Sequence, residues 1–557
     1  MKWLENFIYS VNGSRFKRWM VIILTFVALG ATIMMLPTKL VLARMLPGKS
    51  ANTFSIYVDA PTGSSIEETT KITTCVVDIL KREDAVTDVE IFLGMGSPLD
   101  YAGLVKGSTL KQGENVAEIV INLTDKHARD EASFLMVQRL RPVIQSRCEI
   151  IKEGTNIKMI EQPSGPPTLA SIVVEVTTDD MYTVRKVSHE VANILKETSG
   201  VVDVDIMQEE FYSRYELVAD TEKISRSGIS IEQLNKILYL AFEGMNIAVK
   251  NSKHSPDQIP IFLALSEDTK RVENLSQEAL EAKISSLKLM NKTGMMVPVS
   301  ELVHISEKKS FPAIFSKNLK RSTNVLCETD MVSQVYPLLE ARETMREYFS
   351  KEYNITDEPG ITTFMFDLHL VHKETKEKVL LRWDGEMKVT LDTFRDLGGA
   401  FIAALVMIFL LLVIYYKSFA IAGIILGGSF LSIIGVLIGH WAANLFTAET
   451  FFLTATSLIG FIALMGISSR NSLLLVDFTK SLIDNDGMEK REAIAVATAT
   501  RATPIILTAV AIILGSALLA SDPIFGGLGV ALISGTVAAV AVSLIFVPVL
   551  MFNTKSI

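Results

Sequence analysis

The chain has 557 residues, of which 49% are hydrophobic and 21% charged, and its formal net charge is −8. A composition this apolar and yet this charged excludes a wholly lipid-embedded protein and an ordinary soluble domain; apolar spans must alternate with a large polar region. There is no basic excess of the kind nucleic-acid binding uses, so no nucleic-acid partner is expected.

Residues 1–18 read as a cytoplasmic amino terminus. The first apolar run, residues 19–36, follows Arg15, Lys17 and Arg18. It exceeds the usual signal-peptide core of roughly 7–15 residues, and no small-residue cleavage motif follows it directly. An uncleaved membrane anchor over 19–37 is predicted, with the basic flank in the cytoplasm and the following chain exported.

Residues 38–395 are polar enough for two or three domains. FSIYVDAP alternates Phe54, Ile56 and Val58 on one face, as a half-buried strand does. The Ser64-Ser65-Ile66-Glu67 pattern predicts a capped helix start. That helix runs through ITTCVVDILK to a turn near Asp84, and VTDVEIFLG is the next strand. The pattern returns about 115 residues later as SIVVEVTT, YTVRKVSHEVANILKE and VVDVDIMQ. ILKREDAVTDVEI aligns with ILKETSGVVDVDI in residue class at nearly every position, which marks an internal repeat. Each copy continues with a second strand and helix, NVAEIVINLT and 134–140 in the first, STNVLCETD and 336–348 in the second. Two strand–helix–strand units per copy predict an α+β fold with ferredoxin-like split β-α-β repeats. The boundaries are 38–165 for the first repeat and 166–210 with 316–395 for the second, with QPSGPP at 162–167 as linker. The insert at 211–315, with a capped helix at Ser230-Ile231-Glu232-Gln233, is expected to be a small domain of its own.

Three cysteines, Cys75, Cys148 and Cys327, are widely spaced and odd in number. They match no zinc or haem pattern and are read as small apolar fillers.

Residues 396–557 form a five-helix membrane domain, with spans at 398–416, 419–441, 451–478, 504–520 and 527–552. With the amino terminus inside, Lys417, the loop 480–501 and Lys555 fall in the cytoplasm, while loops 442–450 and 521–526 carry no Lys or Arg. Six spans, both termini cytoplasmic and one large exported loop satisfy the positive-inside rule.

The fourth span, FFLTATSLIGFIALMGISSRNSLLLVDF, carries Arg470 inside its apolar run, followed by Asn471 and Ser472. A guanidinium cannot shed its proton, and near the membrane centre it costs at least ~2.5–3.5 kcal/mol. It is therefore expected to face a protein interior or wet cavity, with an anionic partner. The competing reading is that Arg470 snorkels to the headgroups where Asp477 and Lys480 mark the span's end. Leu473 to Val476 separate it from that end by about 10 Å at 1.5 Å per residue. Asp477 and Lys480, one turn apart, are expected to pair. On the fifth span Arg501 and Thr508 are seven residues apart and share a face, with Pro504 expected in the first turn; Arg501 also reads as an interface anchor. Spans two, three and six have no Asp or Glu in their apolar cores, so half of an ion-coupling site is missing. Gly423, Gly427, Gly428, Gly435 and Gly439 are expected to permit close helix packing. The scattered methionines form no metal-ligand cluster.

GISSRNSLLLVDF, EKREAIAVATATRATPIILTAVAIILG and SDPIFGGLGVALISGTVAAVAVSLIFVPVLM resemble the carboxy-terminal half of resistance–nodulation–division (RND) efflux transporters of the acriflavin-resistance-like, hydrophobe/amphiphile branch. MLPGKSANTFSIYVDAPTGSSIEET resembles the start of that half's periplasmic porter region. The resemblance implies that the repeats are porter subdomains and the insert half of a docking, or funnel, domain. It places Arg470 where many drug pumps have a relay lysine, and Arg501 and Thr508 on the relay arginine and threonine, with Asn471 and Asp477 supporting. Arginine in place of lysine argues against any step in which this residue loses a proton. The family's paired aspartates belong to the amino-terminal half, so the resemblance implies a half-transporter, from a split gene or a truncated chain. It further implies a secondary active transporter driven by proton antiport, with no catalytic residue, cofactor or metal. It would sit in the bacterial inner membrane and move multidrug-type hydrophobic substrates outward. Its partners would be a six-span chain carrying buried acids, in a trimeric assembly, with a periplasmic adaptor (membrane fusion) protein and an outer-membrane channel. The alternatives are a membrane-anchored periplasmic binding or scaffold protein, a six-span exporter that self-dimerises, and a metal-efflux RND relative.

Overall fold

The computed structural model describes residues 1–44, 50–98, 101–108, 111–162, 165, 168–253, 256–270, 276–330, 333, 335–357, 367–446, 451–522 and 524–555. Most of the predicted linker at 162–167 and the end of the loop at 442–450 lie outside them. The chain divides into two compact units, one of residues 1–208 with 314–557 and one of residues 209–313.

In the larger unit the first repeat has strands β1 (Thr53–Asp59), β2 (Val86–Met95), β3 (Gln112–Leu123) and β4 (Asn156–Ile160) in the antiparallel order β2-β3-β1-β4. Phe54, Ile56 and Val58 are fully buried beneath helices Ile66–Leu80 and Ser133–Cys148, against Ile72, Val76, Val137 and Ile144. Each such side chain contributes about 1.5–3 kcal/mol by leaving water. The helix cap sits one residue later than predicted: Ser65 and Glu68 form the reciprocal capping box, and the Ser64 hydroxyl donates to the Pro61 carbonyl.

Cys75 and Cys148 are disulfide-bonded and only Cys327 is free, which corrects their reading as fillers. The two helices that carry them pack side by side, bringing residues 73 apart in sequence to a Cα–Cα distance of 5.8 Å. Replacing both cysteines by alanine is expected to destabilise the first repeat by roughly 2–4 kcal/mol. Limited proteolysis with and without reductant tests this; equal protease resistance in variant and parent would contradict it.

The second repeat places β5 (Ile172–Thr178) at the centre of its sheet, between strands Lys320–Thr329 and Lys378–Asp384. Strand β6 (Val201–Ile206) pairs with the other edge of Lys320–Thr329. Helices Met181–Glu197 and Val335–Phe349 supply Val187, Val191, Leu195, Leu338, Ala341 and Met345 to the core beneath. The two sheets also differ in strand order. Strands Leu368–His372 and Lys378–Asp384, which the sequence reading missed, form a hairpin beside β5, so the fourth strand of this copy, Tyr353–Asp357, moves to the sheet's end.

Among the described residues six helices are long and apolar enough to span a membrane: Arg15–Ile33, Glu386–Tyr416, Phe419–Phe446, Ala455–Asp484, Lys490–Ala520 and Gly526–Asn553. The second and fifth start well before the predicted spans, because hydropathy marks only the apolar part of a longer helix. Pro504 therefore lies inside the fifth helix, not in its first turn. Ahead of the first span, Lys2–Gly13 is a separate helix that buries Leu4, Ile8 and Val11. The second span begins directly after strand Lys378–Asp384, across Gly385 at φ +79°, where a Cβ would meet the Ala170 carbonyl oxygen at 2.5 Å. The third span is interrupted between Phe430 and Ile433, and the sixth contains a π-helical turn at Val542–Phe546. Gly428, Gly435 and Gly439 sit where a side chain would collide with the sixth span; Gly423 and Gly427 have nothing within 4 Å, so close packing accounts for three of the five.

The smaller unit pairs Tyr212–Ala219 with Val303–Ser310 and packs helices Thr221–Ser227, Ile231–Phe242 and Gln277–Ser286 around Ile224, Leu234, Leu280, Ile284 and Leu302. Ser230 and Gln233 make the capping box at the predicted position.

Candidate functional site

The fourth span starts at a reciprocal cap between Thr454 and Ser457 and continues unbroken to Asp484. Its RNS triplet divides between two faces. Asn471 and Ser472 are buried, and Ser472 Oγ lies 3.4 Å from Ser543 Oγ in the π turn of the sixth span. Arg470 is exposed, on the open stripe that also holds Gly466 and Leu474, and among the described residues it makes no ion pair or hydrogen bond. The expected interior setting with an anionic partner is thus not found among the described residues.

Arg501 is half-buried on the fifth span, its guanidinium 4.8 Å from the Phe478 ring centroid, and its Nε is buried without a hydrogen-bond partner among the described residues. Such stacking offsets part of the cost of holding the cation there. Thr508 is exposed and donates its hydroxyl to the Pro504 carbonyl. Phe478 is eight residues, about 12 Å of helix rise, beyond Arg470. Among the described residues no hydrogen bond or ion pair joins Arg470 to Arg501 or Thr508.

The expected Asp477–Lys480 pair does not form. Asp477 instead accepts a 2.6 Å hydrogen bond from the Tyr416 hydroxyl at the end of the second span, and the Lys480 ammonium lies 5.9 Å from the Tyr416 ring centroid. One aromatic residue from a neighbouring helix thus separates the two charges.

Sequence reasoning missed two polar sites. The first is His440, fully buried in the third span and bonded on both ring nitrogens, to the Val436 carbonyl at 2.8 Å and the Ser457 hydroxyl at 2.9 Å. An ionisable residue within an apolar span was the available signal. The second is a set of ion pairs holding the two repeats together. Lys158 on β4 is buried between Asp59 on β1, at 2.6 Å, and Asp205 on β6, and Lys111 reaches Asp59 at 2.7 Å. Arg141 binds Asp203 at 3.1 Å, and Asp203 also accepts from Gln145 at 3.0 Å and from the Met159 amide at 3.1 Å. Lys106 reaches Glu328 at 3.1 Å. Burial by itself pushes the Asp59 carboxyl up, but the Lys158 and Lys111 ammonium groups outweigh it and hold it well below the usual range. Burial likewise opposes the charge on Lys158, and its two carboxylates outweigh that and raise it. For Asp203 burial wins over Arg141, and its carboxyl is raised. The alternation Asp203-Val204-Asp205 in a strand was legible as two acids on one face, but its partners were not.

A family model described as "AcrB/AcrD/AcrF family" matches residues 6–352 and 368–554. The Swarming motility protein SwrC of Bacillus subtilis (strain 168) is 23% identical over 551 residues, covering 97% of this chain and 46% of that protein. The Multidrug export protein AcrF of Escherichia coli (strain K12) is 32% identical over 149 residues, 26% of this chain and 14% of that protein. A crystal structure of a heavy metal efflux pump superposes with a TM-score of 0.71 at 18% identity, covering 99% of this chain and 52% of that one. The likeness in structure is one of fold. The chain spans about half the length of the relatives it matches along its whole length.

Proposed function

Since this chain belongs to the AcrB/AcrD/AcrF family of RND efflux permeases, we propose that it supplies one six-helix half of a proton-driven exporter of hydrophobic compounds. The observation that carries this reading is Arg470, a permanent cation on the open face of the fourth span with no partner among the described residues. Left against lipid it costs several kcal/mol; against a carboxylate on a facing helix it is neutralised. Arginine does not titrate at physiological pH, whereas a carboxylate pair beside a fixed cation does, because the like charges push one pKa up while the cation pulls the other down. Arg470, Arg501 and Thr508 are therefore the fixed part of the coupling site, and a second six-span unit carrying buried paired acids supplies the titrating part. Asn471 and Asp477 support it, Asn471 by packing beside Ser472 and Asp477 by tying the fourth span to Tyr416.

In this reading residues 38–165, and 166–210 with 316–395, are porter subdomains built as ferredoxin-like repeats, and 211–315 is the docking insert. The assembly is trimeric, lies in the bacterial inner membrane with both termini of this chain cytoplasmic, and works with a periplasmic adaptor and an outer-membrane channel. Metal export is the second reading, favoured by the heavy-metal pump among the similar folds.

The test is to express this chain alone and together with a six-span unit bearing paired buried aspartates, in a strain lacking its own pumps. Efflux of a hydrophobic dye that collapses when the proton gradient is dissipated is expected from the pair only. Equal efflux from the single chain would overturn the half-exporter reading, and efflux of divalent metals in place of dye would select the metal reading.

A further inference from the structure

At the exported end of the bundle His440 begins a line of hydrogen-bonding groups that ends on a surface carboxylate. The Val436 carbonyl can only accept, so Nδ1 carries the ring proton and, in the neutral ring, Nε2 accepts. Nε2 meets Ser457 Oγ at 2.9 Å, Ser457 Oγ meets Thr454 Oγ1 at 3.0 Å, Thr454 Oγ1 meets Thr456 Oγ1 at 2.8 Å, and Thr456 donates to the Ile524 carbonyl at 3.3 Å. The same peptide group continues the line, because the Phe525 amide donates to Asp522 Oδ1 at 2.8 Å. Ile524 and Phe525 stand at the start of the sixth span, beside Gly526.

The protons can be counted. Three hydroxyls supply three protons for four contacts, so while His440 is neutral one contact must be left with no hydrogen between its two heavy atoms. A proton arriving on Nε2 supplies the fourth. Nε2–H then donates to Ser457, Ser457 to Thr454, Thr454 to Thr456 and Thr456 to the Ile524 carbonyl, with every bond pointing from the imidazolium towards Asp522. Aligned chains of this kind polarise one another and strengthen. We propose that His440 is a proton-binding site of the membrane domain, wired through Ser457, Thr454, Thr456 and the Ile524–Phe525 peptide to Asp522 on the exported surface.

The surroundings leave this line as the route of charge compensation. The sixth span packs on this turn of the third through Val530 and Ser534, which carry no charge. The segment after the first span brings Arg44, 5.8 Å from the Phe452 ring centroid, and Lys39, 5.2 Å from that of Tyr336. Both are cations, so neither can compensate a charged His440. At the far end the Phe525 and Ile524 amides hold the Asp522 carboxyl below its usual range, with Lys126 of the first repeat adding to the effect.

The test is the ¹⁵N resonance of His440 in the full chain, labelled on its seven histidines, reconstituted in lipid nanodiscs, assigned with His440→Gln and followed from about pH 4 to about pH 9. The expected result is the Nδ1–H tautomer at high pH and a protonation midpoint within that window. Asp522→Asn and Thr456→Val should each move the midpoint down by about 0.3 unit or more, a twofold loss of proton affinity. Thr456→Ser should restore it, and the retained tautomer signal reports that each variant is folded. If His440 stays neutral throughout, or either variant leaves the midpoint in place, the proposal fails. The readout needs no transport and no partner, so its outcome is independent of the exporter reading.

Discussion

Arg470→Ala is expected to leave folding and membrane insertion intact while reducing efflux by the assembled transporter to the level of a strain carrying no pump. The structure separates these two effects. The Arg470 side chain is exposed and bonded to nothing among the described residues, so its removal opens no cavity and strands no buried partner. Function is another matter if the guanidinium is the fixed charge opposite a titrating carboxylate, because an acid deprived of that cation shifts upward and binds its proton too tightly to release. Dye efflux should therefore vanish at unchanged expression and unchanged melting temperature. Thr508→Ala should be milder, since water can replace part of what a hydroxyl provides. An alanine variant at position 470 that still exports at the parent's rate would remove Arg470 from the coupling site.

Lys158→Met is expected to destabilise the contact between the two repeats by about 3–5 kcal/mol, the usual cost of breaking a buried ion pair from one side. Lys158 holds Asp59 on the first repeat and Asp205 on the second; without it Asp59 keeps Lys111, and Asp205 keeps the Asn156 amide at 3.3 Å and the more distant charge of Lys111. Hydrogen exchange at the amides of β4 and β6 measures this locally, and a change below about 1 kcal/mol would contradict it. The double variant Lys158→Met/Asp205→Asn should recover part of the loss, because the two residues are directly coupled. The pH dependence has two limbs. The depressed Asp59 contributes stability that is present above its unfolded value of about 3.9 and lost as pH falls towards its folded value. The raised Lys158 contributes stability that is present below about 10.4 and lost as pH rises towards its own. The contact between the repeats is therefore expected to hold across the neutral range and to loosen at both extremes.

The sequence carried the spans because a bilayer demands about 20 apolar residues in a row, and nothing else in the chain satisfies that demand. It carried β1 through the alternation of Phe54, Ile56 and Val58, and the helix at Ser230 through its cap. What it could not carry was the phase of one element against another. Arg470 and Asn471 are adjacent in sequence, yet one faces outward and the other inward, and only packing against the sixth span decides which. Cys75 and Cys148 looked isolated because the helices bearing them, 73 residues apart at the cysteines, meet side by side only when the sheet folds. Asp477 was assigned to Lys480 by helical spacing, but the Tyr416 hydroxyl from another helix took the carboxylate. His440 was legible as a costly residue in an apolar run; its partner Ser457, on the fourth span, was not.

Gly385 joins two stiff bodies without slack. On one side, strand Lys378–Asp384 is hydrogen-bonded to β5 at the centre of the second sheet. On the other, a single helix of 31 residues, Glu386–Tyr416, extends about 46 Å at 1.5 Å per residue. With no flexible linker between them, the helix behaves as a crank whose pivot is one glycine. A tilt of about 5° at the membrane end sweeps about 4 Å over that length, and the torque arrives at β5 rather than dissipating in a loop.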